Sequence, residues 1–465
     1  AAHHLDRALE LDPASSESHA ARGNLFLLDE QYRDAVASYD RALTIDPVNA
    51  PAYFNLGLAA QAQGDRVGAL QAFSRAFEIA PDIPDLLKNL TLCLMELERH
   101  ADARTMLGQV LARAPHDYEA NRCMGLVLQK LHAPRDALVC YERVIEQGAN
   151  DPELLNNFAI VLQDLGRLDE AIAYYDRAIA LKPDFADAYW CIALAMLSRG
   201  EFAEGWNLYE WRSQRRENRQ ILMRDNIYNL SARQSRDDLT GKQVLVLSEQ
   251  GIGDEIMFAS MLPDLMKDAK SIVYEVDRRL VNLVSDSFPA ATVVAKGDRD
   301  GLEMLYADVV IQAGSLGYAY RRAASSFPKS PYLRAAPDRI DRWLTRLSEE
   351  ARGRTKIGIS WRGGIEKTRR SERSIDLAAM RPLLTRDDCY FVNLQYGNVS
   401  GEISSFNAAH AEHHVHCPLN NIDDFDEFAA LISSLDLVIS VQNATVHMCG
   451  ALGKACWGML PWRPE

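Results

Sequence analysis

Three turns in the second half of the chain have residue types suited to binding phosphate or moving a proton. The first, Ser248-Glu249-Gln250-Gly251-Ile252-Gly253-Asp254, lies between a strand-like and a helix-like segment. Glycines serve tight turns with or without a ligand, so Gly251 and Gly253 alone are a weak signal. Asp254 can accept the proton of an attacking hydroxyl, although a helix N-terminus would lower its basicity, or it can cap the helix.

The second turn is basic. It follows another strand-like segment, begins Trp361-Arg362-Gly363-Gly364, and has five cationic residues within a dozen positions: Arg362, Lys367, Arg369, Arg370 and Arg373. Such a group suits the stabilisation of a departing diphosphate. The alternative is ion pairing with Glu366 and Glu372 on a solvated loop.

The third turn, Val441-Gln442-Asn443-Ala444-Thr445-Val446-His447, joins a strand-like segment to a helix. Free backbone N–H groups at a helix N-terminus suit a nucleotide pyrophosphate in a site without metal. We therefore expect Asn443, Ala444 and Thr445 to contact phosphate. The neutral amide of Gln442 is able to bind a sugar or ribose hydroxyl. His447 either faces the cleft or belongs to the core.

Short, largely apolar segments alternate with helical ones around these turns and predict parallel sheets covered on both faces. The predicted strands are residues 242–248, 271–276, 292–296, 308–312, 356–361, 390–395, 436–441 and 455–460. We predict two Rossmann-like halves, 241–345 and 346–465, connected by a helix near 337–350. The cleft between them is the expected active site.

The first half repeats one unit. Pro13, Pro47, Pro81 and Pro115 recur every 34 residues, and Pro183 lies two periods further on. This pattern resembles tetratricopeptide repeats and implies an α-solenoid over 1–213, with a half repeat, five full repeats and a modified sixth. Small residues at fixed offsets, including Gly23, Gly57 and Gly125, would let paired helices approach closely. The sixth unit is expected to contact the next domain, and 214–240 is a polar connector.

Solenoids of this kind bind extended peptides through polar side chains in a groove. Asparagines occur at or near equivalent positions of the first helices: Asn55, Asn89, Asn121, Asn156 and Asn157. We predict that they grip the backbone of a bound peptide, with helix packing as the alternative for each.

The segment Gly251 to Pro263, G-I-G-D followed by eight residues and proline, resembles the opening of lipopolysaccharide heptosyltransferases and of bacterial tetratricopeptide-repeat glycosyltransferases. The order of repeats and turns is similar to that in bacterial relatives of the O-linked N-acetylglucosamine transferases. This resemblance implies a GT-B fold and inverting, metal-independent transfer from a nucleotide sugar to Ser or Thr hydroxyls of a protein docked by the repeats. Some relatives act on flagellins, which makes flagellin one candidate acceptor.

The resemblance also implies site roles. Asp254 takes the place of the heptosyltransferases' proposed general base, and we assign Arg362 and Lys367 to the donor phosphates. Gln395 and Tyr396 follow a strand where related enzymes bind the base and ribose. Four residues occupy the positions of the signature Asp-Thr-Gly-x-x-His, with glutamine in place of its aspartate: Gln442, Asn443, Ala444 and His447.

Because Gln442 replaces the aspartate of the signature, a second hypothesis remains open. In it, the protein is a scaffold whose transferase half binds ligands without catalysing transfer. A third hypothesis keeps the enzyme but gives it a lipopolysaccharide or small-glycan acceptor, with the repeats serving homo-oligomerisation. The sequence identifies neither the sugar nor the acceptor.

Composition excludes some classes. A net charge of -14 argues against general nucleic-acid binding. We expect a cytoplasmic chain because no apolar run approaches the ~20 residues of a membrane span and the start lacks a signal peptide. The eight cysteines form no C-x-x-C pair, so reduced thiols are expected. His413, His414 and His416 are interpreted as surface residues, and no metal or cofactor is expected besides the donor substrate. Relatives continue past this C-terminus, so the natural protein is expected to be longer.

Overall fold

The computed structural model describes residues 2–224, 230–231, 233–298, 307–364, 373–410, 414–419 and 423–460. Their contacts divide the chain into two units, Ala1–Phe185 and Ala186–Glu465. The sixth helical hairpin, which the sequence groups with the repeats, thus packs with the sheets.

The first unit is a series of antiparallel helix pairs. Its described helices are α1 (Ala2–Leu11), α2 (Ser16–Leu28), α3 (Tyr32–Ile45), α4 (Ala50–Ala62), α5 (Arg66–Ile79), α6 (Leu86–Glu96), α7 (His100–Arg113), α8 (Tyr118–Lys130), α9 (Pro134–Glu146), α10 (Pro152–Asp164) and α11 (Leu168–Leu181). The recurrent prolines each lie two residues beyond the end of a second helix, where no further N–H is needed. The predicted helical solenoid is confirmed.

Four of the first helices, α2, α4, α8 and α10, begin at side-chain caps. The side-chain oxygens of Ser15, Asn49, Asp117 and Asp151 each accept the backbone N–H three residues later. Such a cap satisfies one of the otherwise unpaired donors of the first turn. The sequence therefore sets the helix boundaries locally, before any packing is considered.

The glycines at the small position allow aromatic rings to touch the helix backbone. A Cβ added to Gly57 would lie 2.5 Å from Cε1 of Phe73, and one added to Gly125 would lie 2.7 Å from Cε1 of Tyr141. Gly23 meets Tyr39 in the same way at 2.6 Å. Because the contact recurs in register, it sets the spacing of the two helices within each pair.

We expect Gly57→Ala and Gly108→Ala to change stability in opposite directions. A methyl group at position 57 would collide with the buried Phe73 ring, and overpacking of this kind costs about 1–3 kcal/mol. Gly108, inside α7, has no atom within 4 Å of an added Cβ, so alanine there gains about 1 kcal/mol of helix propensity. Urea unfolding of both variants is the measurement, and destabilisation of equal size would contradict the packing role of Gly57.

The second unit opens with a helical hairpin, α12 (Ala186–Ser198) and α13 (Phe202–Tyr209), followed by a 3-10 turn (Glu210–Gln214), α14 (Arg216–Arg224) and α15 (Arg236–Leu239). Trp206 packs so closely on Gly317 that a Cβ there would lie 2.4 Å from the indole. The last hairpin contacts the first sheet's layer, as the aromatic residues of the modified repeat predict.

Two sheets follow, and every strand pair in them is parallel. The first has the order β3-β2-β1-β4 and the second the order β7-β6-β5-β8-β9. Their strands are β1 (Gln243–Leu247), β2 (Ser271–Val276), β3 (Thr292–Ala295), β4 (Val309–Gln312), β5 (Thr355–Ser360), β6 (Cys389–Asn393), β7 (Val415–His416), β8 (Leu437–Val441) and β9 (Cys456–Met459). All eight predicted strands are confirmed, and β7, only two residues long, is additional.

Helices cover the sheets. They are α16 (Ile252–Phe258), α17 (Leu262–Asp268), α18 (Val281–Ser287), α19 (Leu316–Tyr320), α20 (Pro337–Ala351), α21 (Arg381–Leu384), α22 (Ser400–Ala409), α23 (Phe425–Ser434) and α24 (Ala444–Leu452). One apolar core contains Val246 and Ile272 of the first sheet together with Val438 of the second, through α23 and α24. The two sheets therefore share a core.

None of the helices that the structure describes has the length and apolar character required to cross a bilayer.

Candidate functional site

The first glycine-rich turn leaves β1 and enters α16. Gln250 adopts a left-handed conformation with φ of 61°, and Gly251 is the N-cap residue of the helix. The Gly251 N–H donates to Oδ2 of Asp254 at 3.1 Å. The capping role offered as the alternative for Asp254 is therefore present, and it holds the carboxylate at the start of α16.

Asp254 and His447 of α24 are both partly buried, and each influences the charge of the other. Burial raises the pKa of the Asp254 carboxyl above its ordinary value, against the opposing effects of the Gly251 N–H and of His447. Burial likewise lowers the pKa of the His447 imidazole, partly offset by Asp254, while nearby Arg373 lowers it further. The backbone N–H groups at the helix N-terminus lower the pKa of Asp254, as expected, but the opposite effect of desolvation is larger.

Gly253 allows α16, which follows the first sheet's β1, to pack closely against α24. A Cβ at this position would lie 3.1 Å from Cδ2 of His447 and 3.6 Å from Cα of Ala444. The N-terminal turn of α16 thus lies against that of α24, which belongs to the third turn singled out in the sequence. The residues predicted separately at Gly253, Asp254, Ala444 and His447 come together.

Gln395 braces the protein's own backbone. It is 1% exposed, and its Oε1 accepts hydrogen bonds from the N–H groups of Trp361 and Arg362 at 2.9 and 2.7 Å and from Ser360 Oγ at 3.0 Å. This saturated carboxamide oxygen fixes the start of the basic turn. The predicted contact with a nucleotide base or ribose is not what this geometry favours.

Asn443 has a similar structural role. Its Nδ2 donates to Ser360 Oγ at 2.7 Å and to the Arg362 carbonyl at 3.0 Å, while its Oδ1 accepts the Thr445 N–H at 2.9 Å. The side chain therefore caps α24 and ties it to the end of β5. It is buried, as is Thr445, so a phosphate would meet the backbone of this turn rather than these side chains.

Arg362 is paired within the protein. Its Nη2 donates to Oε2 of Glu402 in α22, and Oε1 of the same carboxylate accepts the indole N–H of Trp361 at 3.1 Å. Arg362 thus positions the basic turn against α22, a partner that no sequence pattern indicates. The other predicted phosphate contact, Lys367, lies outside the described residues.

Close backbone packing explains Gly363, the first of the two glycines. A Cβ at Gly363 would lie 2.6 Å from the carbonyl oxygen of Gln442 and 2.8 Å from that of Arg373. Arg373 Nη2 also donates to the Gln442 carbonyl at 2.9 Å. Arg373, which the sequence marks only as one of five basic residues, is the described cation of that turn whose charge acts on His447.

Tyr396 remains accessible. Its side chain is exposed, its hydroxyl donates to the carbonyl of Gly364 at 3.2 Å, and Gly397 follows with φ of 81°. Gln442 and Ala444 are partly exposed at the start of α24. Among the predicted donor-binding residues that the structure describes, Tyr396 is thus exposed, and Arg362, Gln442, Ala444 and His447 are partly exposed.

Two of the asparagines assigned to the peptide groove are not exposed for binding. Asn121 and Asn156 are 0% and 6% exposed, contrary to prediction, because both point into the helix packing. Nδ2 of Asn121 donates to the carbonyls of Pro115 and Asp117.

The remaining asparagines are partly exposed. Nδ2 of Asn55 donates to Asn24 Oδ1, and Nδ2 of Asn89 to the Asp85 carbonyl, both at 2.9 Å. Asn157 is in register with them at multiples of 34 residues, and Cys123 fills the intervening position. The correct register uses Asn157 in place of Asn156, and the 34-residue period alone could have distinguished the two.

No group of three or more His, Cys, Asp or Glu side chains within the described ranges is arranged to hold a metal ion. His414 and His416 have ring centroids 6.2 Å apart, and His416 stacks on Tyr390. His413 lies outside those ranges.

Models of the tetratricopeptide repeat match residues 23–64, 60–127 and 161–200. Protein FlbA of Caulobacter vibrioides is 29% identical over 313 residues, which cover 61% of this chain and 51% of FlbA. The chain thus spans about half the length of this curated relative. The match covers 61% of the chain, whereas the predicted repeats, residues 1–213, make up less than half of it. The match therefore extends beyond the repeats.

Several solved structures resemble the helical region. YrrB, described as a protein with an unusual peptide-binding site, is 24% identical with a TM-score of 0.34, over 40% of this chain and 96% of YrrB. PilW, a type IV pilus biogenesis factor, is 24% identical with a TM-score of 0.37, over 44% and 98%. Pseudomonas aeruginosa pilF is 19% identical with a TM-score of 0.37, over 46% and 98%. The chain contains tetratricopeptide repeats, which suggest a role in protein–protein interaction.

Proposed function

We propose that this protein is an inverting, metal-independent glycosyltransferase with a GT-B fold, which moves a sugar from a nucleotide sugar to a Ser or Thr hydroxyl of a protein bound by the repeats. The observation that carries the proposal is the approach of Gly253, the residue before Asp254, to Ala444 and His447 at the N-terminal turn of α24. A carboxylate with a raised pKa and backbone N–H groups suited to phosphate then lie at one place.

In the proposed reaction, Asp254 takes the proton of the acceptor hydroxyl. At the same time, the hydroxyl oxygen attacks the anomeric carbon of the donor sugar. The bond from that carbon to the donor phosphate oxygen breaks, and the nucleoside diphosphate leaves with the electron pair. Attack on the face opposite the leaving group inverts the anomeric configuration. The positive end of the α24 helix dipole, together with Arg373, would stabilise the negative charge of the leaving diphosphate.

The repeats would supply the acceptor. Tetratricopeptide arrays present a continuous surface to an extended segment, so the energy of binding can hold a hydroxyl near the base. Flagellin is one candidate acceptor by resemblance. The proposed transfer uses no metal and no cofactor besides the donor substrate.

A second candidate function is a scaffold that binds partners without transfer. It is favoured by the internal use of Arg362, Gln395 and Asn443, whose polar atoms hold the protein's own loops. If the site is active but the acceptor is a lipopolysaccharide or small glycan, the repeats would serve oligomerisation instead.

A thermal melt against nucleotide sugars separates these functions. We expect one of UDP-N-acetylglucosamine, GDP-mannose, ADP-glucose and CMP-N-acetylneuraminate to raise the melting temperature. A ligand at 100 times its Kd adds about 2.7 kcal/mol to the folded state. The matching nucleoside, which lacks phosphate, should give no shift.

Two variants sharpen the measurement. Lys367→Ala should weaken binding of the nucleotide sugar and of the nucleoside diphosphate alike, whereas Arg386→Ala removes a surface cation paired with Asp388 and should have no effect. The absence of a shift with every donor would favour the scaffold, and equal affinities in the two variants would remove Lys367 from the site.

A further inference from the structure

A buried ion pair connects the last helical hairpin to the turn that carries Asp254. Arg212, in the 3-10 turn after α13, has a side chain that is 1% exposed. Its Nε and Nη2 each donate to the Glu249 carboxylate at 2.8 Å, and its Nη1 donates to Glu210 Oε1 at 2.9 Å. Two parallel hydrogen bonds to one carboxylate fix both the distance and the orientation of the pair.

A second contact holds the next residue of the turn. Nε2 of Gln250 donates to the hydroxyl of Tyr209 at 2.5 Å, and the Arg212 guanidinium lies 4.5 Å from the centre of the Tyr209 ring. Gln250 has the left-handed backbone conformation that non-glycine residues seldom adopt without support. Two consecutive residues of the turn are therefore held by side chains of the hairpin.

The same carboxylate also fixes the turn to the rest of the first sheet. Glu249 Oε1 accepts the N–H of Gly314, which follows β4, at 2.5 Å. A buried carboxylate left without its cation costs several kcal/mol, so Glu249 would have to move towards water if Arg212 were removed. Such a movement would displace the turn and, with it, Asp254.

We infer that Arg212 and Tyr209 are positioning residues for the proposed transfer, because through Glu249 and Gln250 they set where Asp254 lies against His447. The last helical hairpin is then part of the catalytic unit as well as the end of the repeat array. This inference rests on the proposed function, in which Asp254 is the base.

The charge of Glu249 also affects a property that can be measured, the pKa of Asp254. The negative charge of Glu249 contributes to the raised pKa of Asp254, after the larger effect of burial. Replacing Glu249 with glutamine keeps a hydrogen-bond acceptor for Arg212 but removes that charge. The pKa of Asp254 should then fall, and the base should be both weaker and less well placed.

The test compares Glu249→Gln with Asp264→Asn. Asp264 pairs with another buried arginine, Arg321, at 2.8 Å in the same unit but away from the turn. Nucleotide release from the four donors named above is measured against pH. For Glu249→Gln we expect kcat to fall about ten-fold and the acid limb of kcat/KM to move to lower pH. Asp264→Asn should keep the wild-type acid limb and kcat within about two-fold. Equal profiles for the two variants would overturn the inference.

Hydrogen exchange tests the positioning without relying on turnover. Tyr209→Phe should increase amide exchange in residues 248–256, because Gln250 loses its partner. The control Tyr175→Phe removes a similar hydroxyl bond, to Gln163 in the first unit, and should leave that segment unchanged. Wild-type protection of 248–256 in Tyr209→Phe would contradict the positioning role. A wild-type protein that neither binds nor turns over any donor would instead refute the proposed function, whatever the exchange result.

Discussion

Asp254→Asn is expected to leave donor affinity close to that of the wild type and to lower turnover by about 100-fold or more. A base acts only as the hydroxyl loses its proton, so its removal changes the transition state and not the bound donor. Asparagine is itself a good helix cap and can still accept the Gly251 N–H. Fold and binding should therefore survive while the rate is lost.

The measurement is kcat with saturating donor, together with the thermal shift that the donor gives. Asp277→Asn is the matched control, because Asp277 also caps a turn after a strand of the same sheet, accepting the Arg279 N–H at 3.0 Å. Near-normal turnover of a folded Asp254→Asn protein would refute the base assignment and leave His447 or a substrate-assisted route as the next candidates.

The pH dependence of kcat/KM is expected to show the same base. A base works in its deprotonated form, so kcat/KM must fall as pH falls through the pKa of Asp254. Burial raises that pKa above the ordinary value of 3.8, which places the acid limb at a higher pH than for an exposed aspartate. This limb should be absent from Asp254→Asn.

Deleting residues 16–117 is expected to abolish transfer to a protein acceptor while sparing slow hydrolysis of the donor. The deletion removes α2 to α7 and joins Ser15 to Tyr118, a cut of three 34-residue periods. Ser15 would then replace Asp117 as the cap of α8, and the two residues have the same capping geometry. The shortened array should fold, since each repeat contacts mainly its neighbours.

Transfer of radiolabelled sugar to an acceptor modified by the wild-type protein, such as purified flagellin, gives the result. Release of nucleoside diphosphate without acceptor is the internal control, because the residues of the candidate site all belong to the second unit. Equal transfer by the shortened and complete chains would favour the small-acceptor hypothesis, in which the repeats serve oligomerisation.

The repeats and strands could be predicted because their signals are local. Prolines spaced by 34 residues or a multiple of it, and capping residues before most first helices, need no knowledge of distant contacts. The strand-like runs at 242–248 and 436–441 are recognisable because central parallel strands are apolar on both faces. β7 has too few residues to show any period, so Val415 and His416 were missed.

The polar side chains of the site were less predictable. An amide after a strand can bind a ligand or the protein's own backbone, and composition does not distinguish the two uses. Gln395 and Asn443 bind groups of the protein itself, because both side chains hydrogen-bond to Ser360 at the end of β5. Arg212 and Glu249 are paired across two elements, and nothing near either residue in the sequence indicates the other.

Sequence separation along the chain also sets an order of assembly. Each helix pair of the first unit joins neighbouring residues, so it can form while the ribosome is still translating the rest. The approach of Gly253 to His447 joins residues far apart and needs β8 and α24 to be complete. A translation product that stops before Asn443 would have finished repeats but only half of the candidate site. Under the proposed function, such a product would bind the protein acceptor through its repeats without modifying it, and would compete with the full-length protein.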